Sequence, residues 1–231
     1  MTKSGSLARA ARSSDTALEA EENRSESRAD RRRGRRRDEI LAIAAEKFAV
    51  KGYEATSLEE IADELELAKA SLYHYVENKE ELLVRIALRH TQEIAAAGMT
   101  AAGSEGPANE RLWRLVAAHV EIACAQPHTE LLDLNSTLLR KPADSAPARQ
   151  LRATIATYDA FTRNLIGEGI ESGIFAPADL NAAGYMVMAA ANSMARWSVR
   201  DRVASAHVRG VAAAELLVGG LMSPMRRPVG V

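Results

Sequence analysis

Apolar residues recur every three or four positions along most of this chain, the spacing of helices that each bury one face. Within "DEILAIAAEKFAVKGYEATSL", Ile40, Ile43, Ala44 and Phe48 share one side, acids occupy the first turn, and Gly52 is placed to end the helix. A second helix opens at "TSLEEIADEL". Thr56 or Ser57 caps it, Glu59 or Glu60 follows three residues on as in a capping box, and Leu58, Ile61, Ala62 and Leu65 form its apolar face. "AKASLYHYV" reads as a short third helix. Asn78 then caps a fourth, whose apolar side is Leu82, Leu83, Ile86, Ala87, His90 and Ile94. "GMTAAGSEGPANE" reads as a loop, and helices are predicted over about 110–125, 128–139, 148–172, 179–199 and 204–222. No segment alternates with the period of a strand, so the fold class is all-α.

The pattern also divides the chain. Residues 1–34 hold no aromatic and only two leucines, too little apolar surface to offset the entropy of ordering, so a flexible basic arm is expected there. Residues 35–83 read as a compact three-helix unit and 84–231 as a larger helical domain. A chain of 231 residues can bury a core without metal or disulfide, and the single Cys124 has no partner for an internal bridge, which suits a reducing compartment. No apolar run resembles a signal peptide or a membrane span, so a cytoplasmic location without membrane contact is expected.

A formal charge of −1 conceals an asymmetry. Arg28 to Arg37 contains seven arginines and one aspartate, whereas Asp38 to Leu83 holds twelve acids against four lysines. An arginine run of that density binds phosphate backbones or acidic partners, or stays solvated as a tail.

"LAKASLYHYVENKEELL" (67–83) gathers two of the five tyrosines with a histidine, a serine and two lysines. Three short helices, the second and third joined tightly, suggest a helix-turn-helix unit, whose last helix enters a major groove. Leu67 and Leu72 would then anchor that helix, leaving Lys69, Ala70, Ser71, Tyr73 and His74 facing outward. A satisfied core would use Tyr or His equally well, taken residue by residue.

The stretches "AAEKFAVKGYEATS", "IA" and "KASLYHYVENKEELL" together resemble the DNA-binding domain of the TetR family of transcriptional regulators, over about fifty residues. The resemblance implies that Lys69, Ala70, Ser71, Tyr73 and His74 lie on the recognition helix, with Tyr73 and His74 at the sugar-phosphate backbone. It places Thr56 and Ser57 at a helix start suited to a phosphate, and Lys79 at another phosphate. Two positions depart from the family. Glu66 stands where a turn glycine is usual, and Ala68 where a serine is frequent. Because the unit itself is acidic, Arg35, Arg36 and Arg37 are expected to supply backbone or minor-groove contacts.

The resemblance further implies a homodimer on a palindromic double-stranded operator, joined through the last two helices, whose stripe Val211, Ala214, Leu217, Val218 and Leu221 is the expected interface. The default alternative for such a stripe is intramolecular core. A small hydrophobic effector, an acyl-thioester being one such molecule, would bind among Trp113, Val116, Val120, Cys124, Leu138, Tyr158, Phe161, Met188 and Asn192, which could equally form a solid core. The expected function is a transcriptional repressor released from its operator by that effector. The alternatives are an activator or an effector-independent DNA binder of the same fold. A small helical enzyme is disfavoured: Cys124 and His128 are separated by Pro127 and lack an orienting acid, so no catalytic residue, cofactor or metal site is assigned.

Overall fold

In the computed structural model, residues 4–125, 145–198 and 205–222 are described, with side chains for 28–125, 145–194 and 205–222. They form eight helices and no strand: α1 (Ser4–Lys51), α2 (Leu58–Glu64), α3 (Lys69–Tyr73), α4 (Lys79–Ala102), α5 (Ala108–Ala125), α6 (Ala146–Glu171), α7 (Leu180–Ser198) and α8 (Ala206–Met222). The helix expected at 128–139 lies outside the described residues, as does Leu138.

Helix α1 begins far ahead of its apolar stripe. The stretch expected as an arm has helical backbone from Ser4, continuous with the buried part of the helix. Its Ala, Glu and Arg are good helix formers, so local propensity explains a helix there without any packing. Residues 28–35 are all exposed, and burial starts with Ile40, Leu41, Ala44, Ala45 and Phe48. Gly52, at φ +93°, ends the helix in a conformation that suits glycine.

The three-helix head closes around Phe48, Ile61, Leu72, Leu82 and Leu83, each almost fully buried. Ser57 caps α2 and completes a capping box with Glu60, while Asn78 caps α4 by accepting from the Glu81 amide at 2.8 Å. Leu82, Leu83 and Ile86 of α4 belong to the head's core, whereas Ile94, Ala95 and Ala102 belong to the larger one. A 24-residue helix spans about 36 Å, so α4 is a single rod joining the two cores. It continues through Gly98, which the sequence placed in a loop: one glycine in a helix costs only about 1 kcal/mol, and Ile94, Ala95 and Ala102 on either side are buried.

The larger core surrounds α5, which packs on α4, α6, α7 and α8. Its Leu112, Leu115, Val116 and Val120 are inaccessible to solvent. Helix α8 comes so close to α5 that a Cβ on Gly210 would lie 2.5 Å from the Ala117 carbonyl oxygen. Gly210, Ala213 and Ala214 of α8 therefore serve packing within the chain. Two positions of the expected dimer stripe are corrected by this packing. Ala214 and Val218 are buried in the core, and Leu217 and Leu221 pack against it. Val211 is half-buried. The outward face of α8 instead carries Val208, Leu216 and Met222.

Candidate nucleic-acid interface

Helix α3 is held by one side chain and read by the others. Leu72 is completely buried in the head and Leu67 packs partly against it. Lys69, Ala70, Tyr73 and His74 are exposed, and Ser71 is half-buried. A five-residue helix fixed by one leucine thus projects a hydroxyl, a phenol and an imidazole, donors and acceptors matched to base edges and backbone oxygens. Tyr75 turns inward against the head's core.

The angle of α3 is set by the turn before it. The Leu67 amide donates to the Ala62 carbonyl at 2.9 Å and the Glu66 amide to the Asp63 carbonyl at 3.0 Å, the paired bonds of a Schellman cap. Glu66 occupies its left-handed position with φ +52°. The departure from glycine seen in the sequence therefore changes the residue and not the geometry.

An open cleft of about 860 Å³ lies between the arginine face of α1 and α3. Arg32, Arg33, Arg35 and Arg36 line one wall and Ser71, His74 and Tyr75 the other. Arg36 donates to the Leu65 carbonyl at 2.9 Å and to the Glu39 carboxylate at 2.7 Å, tying the arginine face to the turn ahead of α3. Arg37 is half-buried. Arg32 and Arg33 were missed by the sequence reading. Had the arm been read as a helix, the spacing of Arg32 and Arg36 would have placed both on one side.

The lysines behave differently. Lys47 pairs with Glu64 at 3.0 Å, Lys51 with Glu60, and Lys69 with Glu59. Lys79 donates to the carbonyls of Tyr53, Thr56 and Glu54 at 2.7, 3.1 and 3.3 Å, with its ammonium 4.4 Å above the Tyr53 ring. An ammonium has three protons, so Lys79 is a strut across the α1–α2 turn where a phosphate clamp was expected. Thr56 is corrected likewise. Its side chain is buried and its hydroxyl donates to the Gly52 carbonyl at 2.8 Å, which closes that turn. The Ser57 hydroxyl accepts from the Glu60 amide at 3.2 Å, and the Ser57 amide donates to the Glu60 carboxylate at 2.9 Å. The start of α2 is therefore already served by the protein's own groups.

In the larger domain, the described residues expected around an effector fall partly in the core and partly at one cleft. Val116 and Val120 are solid core, Tyr158 is buried, and Trp113, Cys124 and Phe161 pack at the core's margin. Met188 and Asn192 do line a cleft of about 550 Å³ between α6 and α7, with Ile155, Asp159, Arg163 and Tyr185. The Asp159 carboxyl is raised above its ordinary range by burial, partly offset by Arg163. Behind the cleft, buried His119 lies 3.2 Å from the Asn192 amide oxygen and 3.3 Å from the Tyr158 hydroxyl, a polar chain not visible in the residue pattern. Among the described residues, no cluster of three or more His, Cys, Asp or Glu is arranged to hold a metal, and no helix is long and apolar enough to cross a membrane.

A compact helical head that projects one short polar helix beside an arginine-lined cleft, carried on a larger helical domain, defines a helix-turn-helix DNA-binding regulator. Comparison with known proteins gives its family. The profile of bacterial regulatory proteins of the tetR family matches residues 40–86, and that of the tetracyclin repressor-like C-terminal domain matches 105–201. The regulator PfmR of Thermus thermophilus superposes with a TM-score of 0.69 at 30% identity, covering 80% of this chain and 99% of that one. The transcriptional activator FasR of Mycolicibacterium smegmatis is 25% identical over 172 residues, 74% of this chain and 75% of that protein. The transcriptional repressor KstR2 of the same organism is 41% identical over 51 residues, 22% of this chain, so the match spans only 25% of KstR2. The chain belongs to the TetR family of transcriptional regulators, whose members are transcription factors and not enzymes.

Proposed function

We propose that this regulator is a cytoplasmic homodimeric repressor that binds a palindromic operator and leaves it when a small effector enters the larger domain. The observation that carries the DNA-binding geometry is the exposure of Tyr73 and His74, with half-buried Ser71, next to the arginine cleft while Leu72 alone of α3 is buried. On this reading α3 lies in the major groove, and Arg32, Arg33, Arg35 and Arg36 follow the adjacent backbone or minor groove. The dimer is supported by the distribution of exposed large apolar residues. Among the described residues, six of the eight, Leu180, Tyr185, Met186, Val208, Leu216 and Met222, sit on α7 and α8. The effector site is the α6–α7 cleft, where Ile155 and Met188 accept a hydrocarbon portion and Asp159, Arg163 and Asn192 a polar one. Such a lining fits an amphipathic effector, the acyl-thioesters among them.

Footprinting on DNA flanking the gene that encodes this chain tests the reading, with a paired protected site expected. The variant Arg32→Ala/Arg33→Ala/Arg35→Ala should flatten the dependence of log K on log salt by about two to three, since each lost phosphate contact removes about 0.9. An unchanged slope would separate the arginine face from DNA. A second reading, activation, is favoured by the longer alignment with FasR, named an activator. A reporter assay with and without the regulator distinguishes them by the sign of the change.

A further inference from the structure

Each of the four lysines in the head is already engaged inside the protein before DNA arrives. Three of them face carboxylates, and Lys69, the one on the helix that reads DNA, faces Glu59. The pair joins the first turn of α2 to the first turn of α3, and both side chains stay about half exposed. We propose that Glu59 is an internal competitor for DNA phosphate: it holds Lys69, and binding must first exchange the carboxylate for a phosphate oxygen.

The physical argument rests on what each partner can offer. A carboxylate and a phosphate oxygen are both hard anionic acceptors, so they compete for one ammonium in the same way. The contact with Lys69 holds the Glu59 carboxyl below its ordinary range, and the contact with Glu59 raises the Lys69 ammonium in return. Both groups are solvent-exposed, where such pairs add little to folding. Its consequence falls on DNA binding instead. While the pair is intact, Glu59 cancels the Lys69 charge on a surface that must approach a polyanion. The effect carries no sequence information, because it concerns phosphate and not bases. Glu59 therefore lowers affinity for every duplex alike and leaves discrimination to Ser71, Tyr73 and His74. The arginines lining the cleft, with only Arg36 tied to a carboxylate, retain the long-range attraction.

The test uses the full-length protein and a 30-base-pair duplex of arbitrary sequence, with fluorescence anisotropy across a salt series. Glu59→Gln should tighten binding about three- to tenfold near 0.1 M salt and leave the salt slope nearly unchanged, because Lys69 meets the same phosphate in both bound states. The gain should vanish in the Lys69→Gln background, and circular dichroism should show an unchanged fold. Weaker binding, a slope steeper by a full phosphate contact, or a gain that persists without Lys69 would each overturn the proposal, the last by reducing it to bulk charge. The arbitrary duplex keeps the outcome independent of whether the protein represses or activates.

Discussion

The Tyr158 hydroxyl lies against Gly98 so tightly that a Cβ at that position would overlap the oxygen and come within 3.0 Å of the ring carbon bearing it. Glycine inside a helix ordinarily costs stability, and Gly→Ala on an exposed face gains about 1 kcal/mol. Here the sign reverses. Tyr158 cannot retreat, because its hydroxyl bonds His119 and its ring stacks on the imidazole at 5.8 Å. Gly98→Ala is expected to destabilise the protein by about 1–3 kcal/mol through overpacking. Adding Tyr158→Phe should recover part of that loss, a coupling that chemical denaturation of the single and double variants measures.

The same contact makes His119 a source of pH dependence. Burial holds its pKa at about 4, below the ordinary 6.5, with the Asn192 contact working the other way. The neutral ring donates from Nε2 to the Asn192 oxygen and accepts the Tyr158 hydroxyl proton at Nδ1, an arrangement that protonation breaks. The unfolded chain binds the proton first, so stability is full above about pH 6.5 and falls as pH drops towards 4. The total is about 3 kcal/mol, and the slope at most about 1.4 kcal/mol per pH unit. Denaturant midpoints between pH 7.5 and 4.5 should fall more steeply for the wild type than for His119→Gln, which cannot titrate. Equal slopes would show that His119 is not the group responsible.

How far sequence reaches can be read from these elements. The caps and the head's core were legible because they depend on neighbours in sequence: Ser57 with Glu60, Asn78 with Glu81, and the stripe of Ile40, Ala44 and Phe48. The faces of α3 followed from a single period as well. Partners brought from afar were not legible. Lys79 finds Tyr53 twenty-six residues away, and His119 finds Asn192 seventy-three residues away. Small residues on α8 signal close approach without saying to what, and the answer is α5.

The turn before α3 offers a test of local strain. A residue with a Cβ in the left-handed region costs about 1–2 kcal/mol, against which glycine loses about 0.5–1 through its freer unfolded chain. Glu66→Gly should therefore raise stability slightly, by about 0.5–1 kcal/mol. Glu66→Ile should lower it by more than that, since a β-branched side chain fits the left-handed region worst. Thermal midpoints of the two variants moving in the same direction would contradict a cap built on φ +52°.

The proposed dimer face is tested by comparing two neighbouring positions on α8. Leu216 is 74% exposed, whereas Ala214 is 0% exposed and lies in the core around α5. A glutamate at position 214 buries a charge without a partner, which costs several kcal/mol or more and should unfold the larger domain. A glutamate at 216 points to solvent in the single chain and costs the fold little. It would nevertheless place like charges together across a two-fold interface, where each residue meets the same patch of its mate. Leu216→Glu is thus expected to keep its helicity, sediment as a monomer at micromolar concentration and lose operator affinity, because half-sites are then bound one at a time. A Leu216→Glu protein that stays dimeric would move the contact to another face, away from Tyr185, Met186 and Val208.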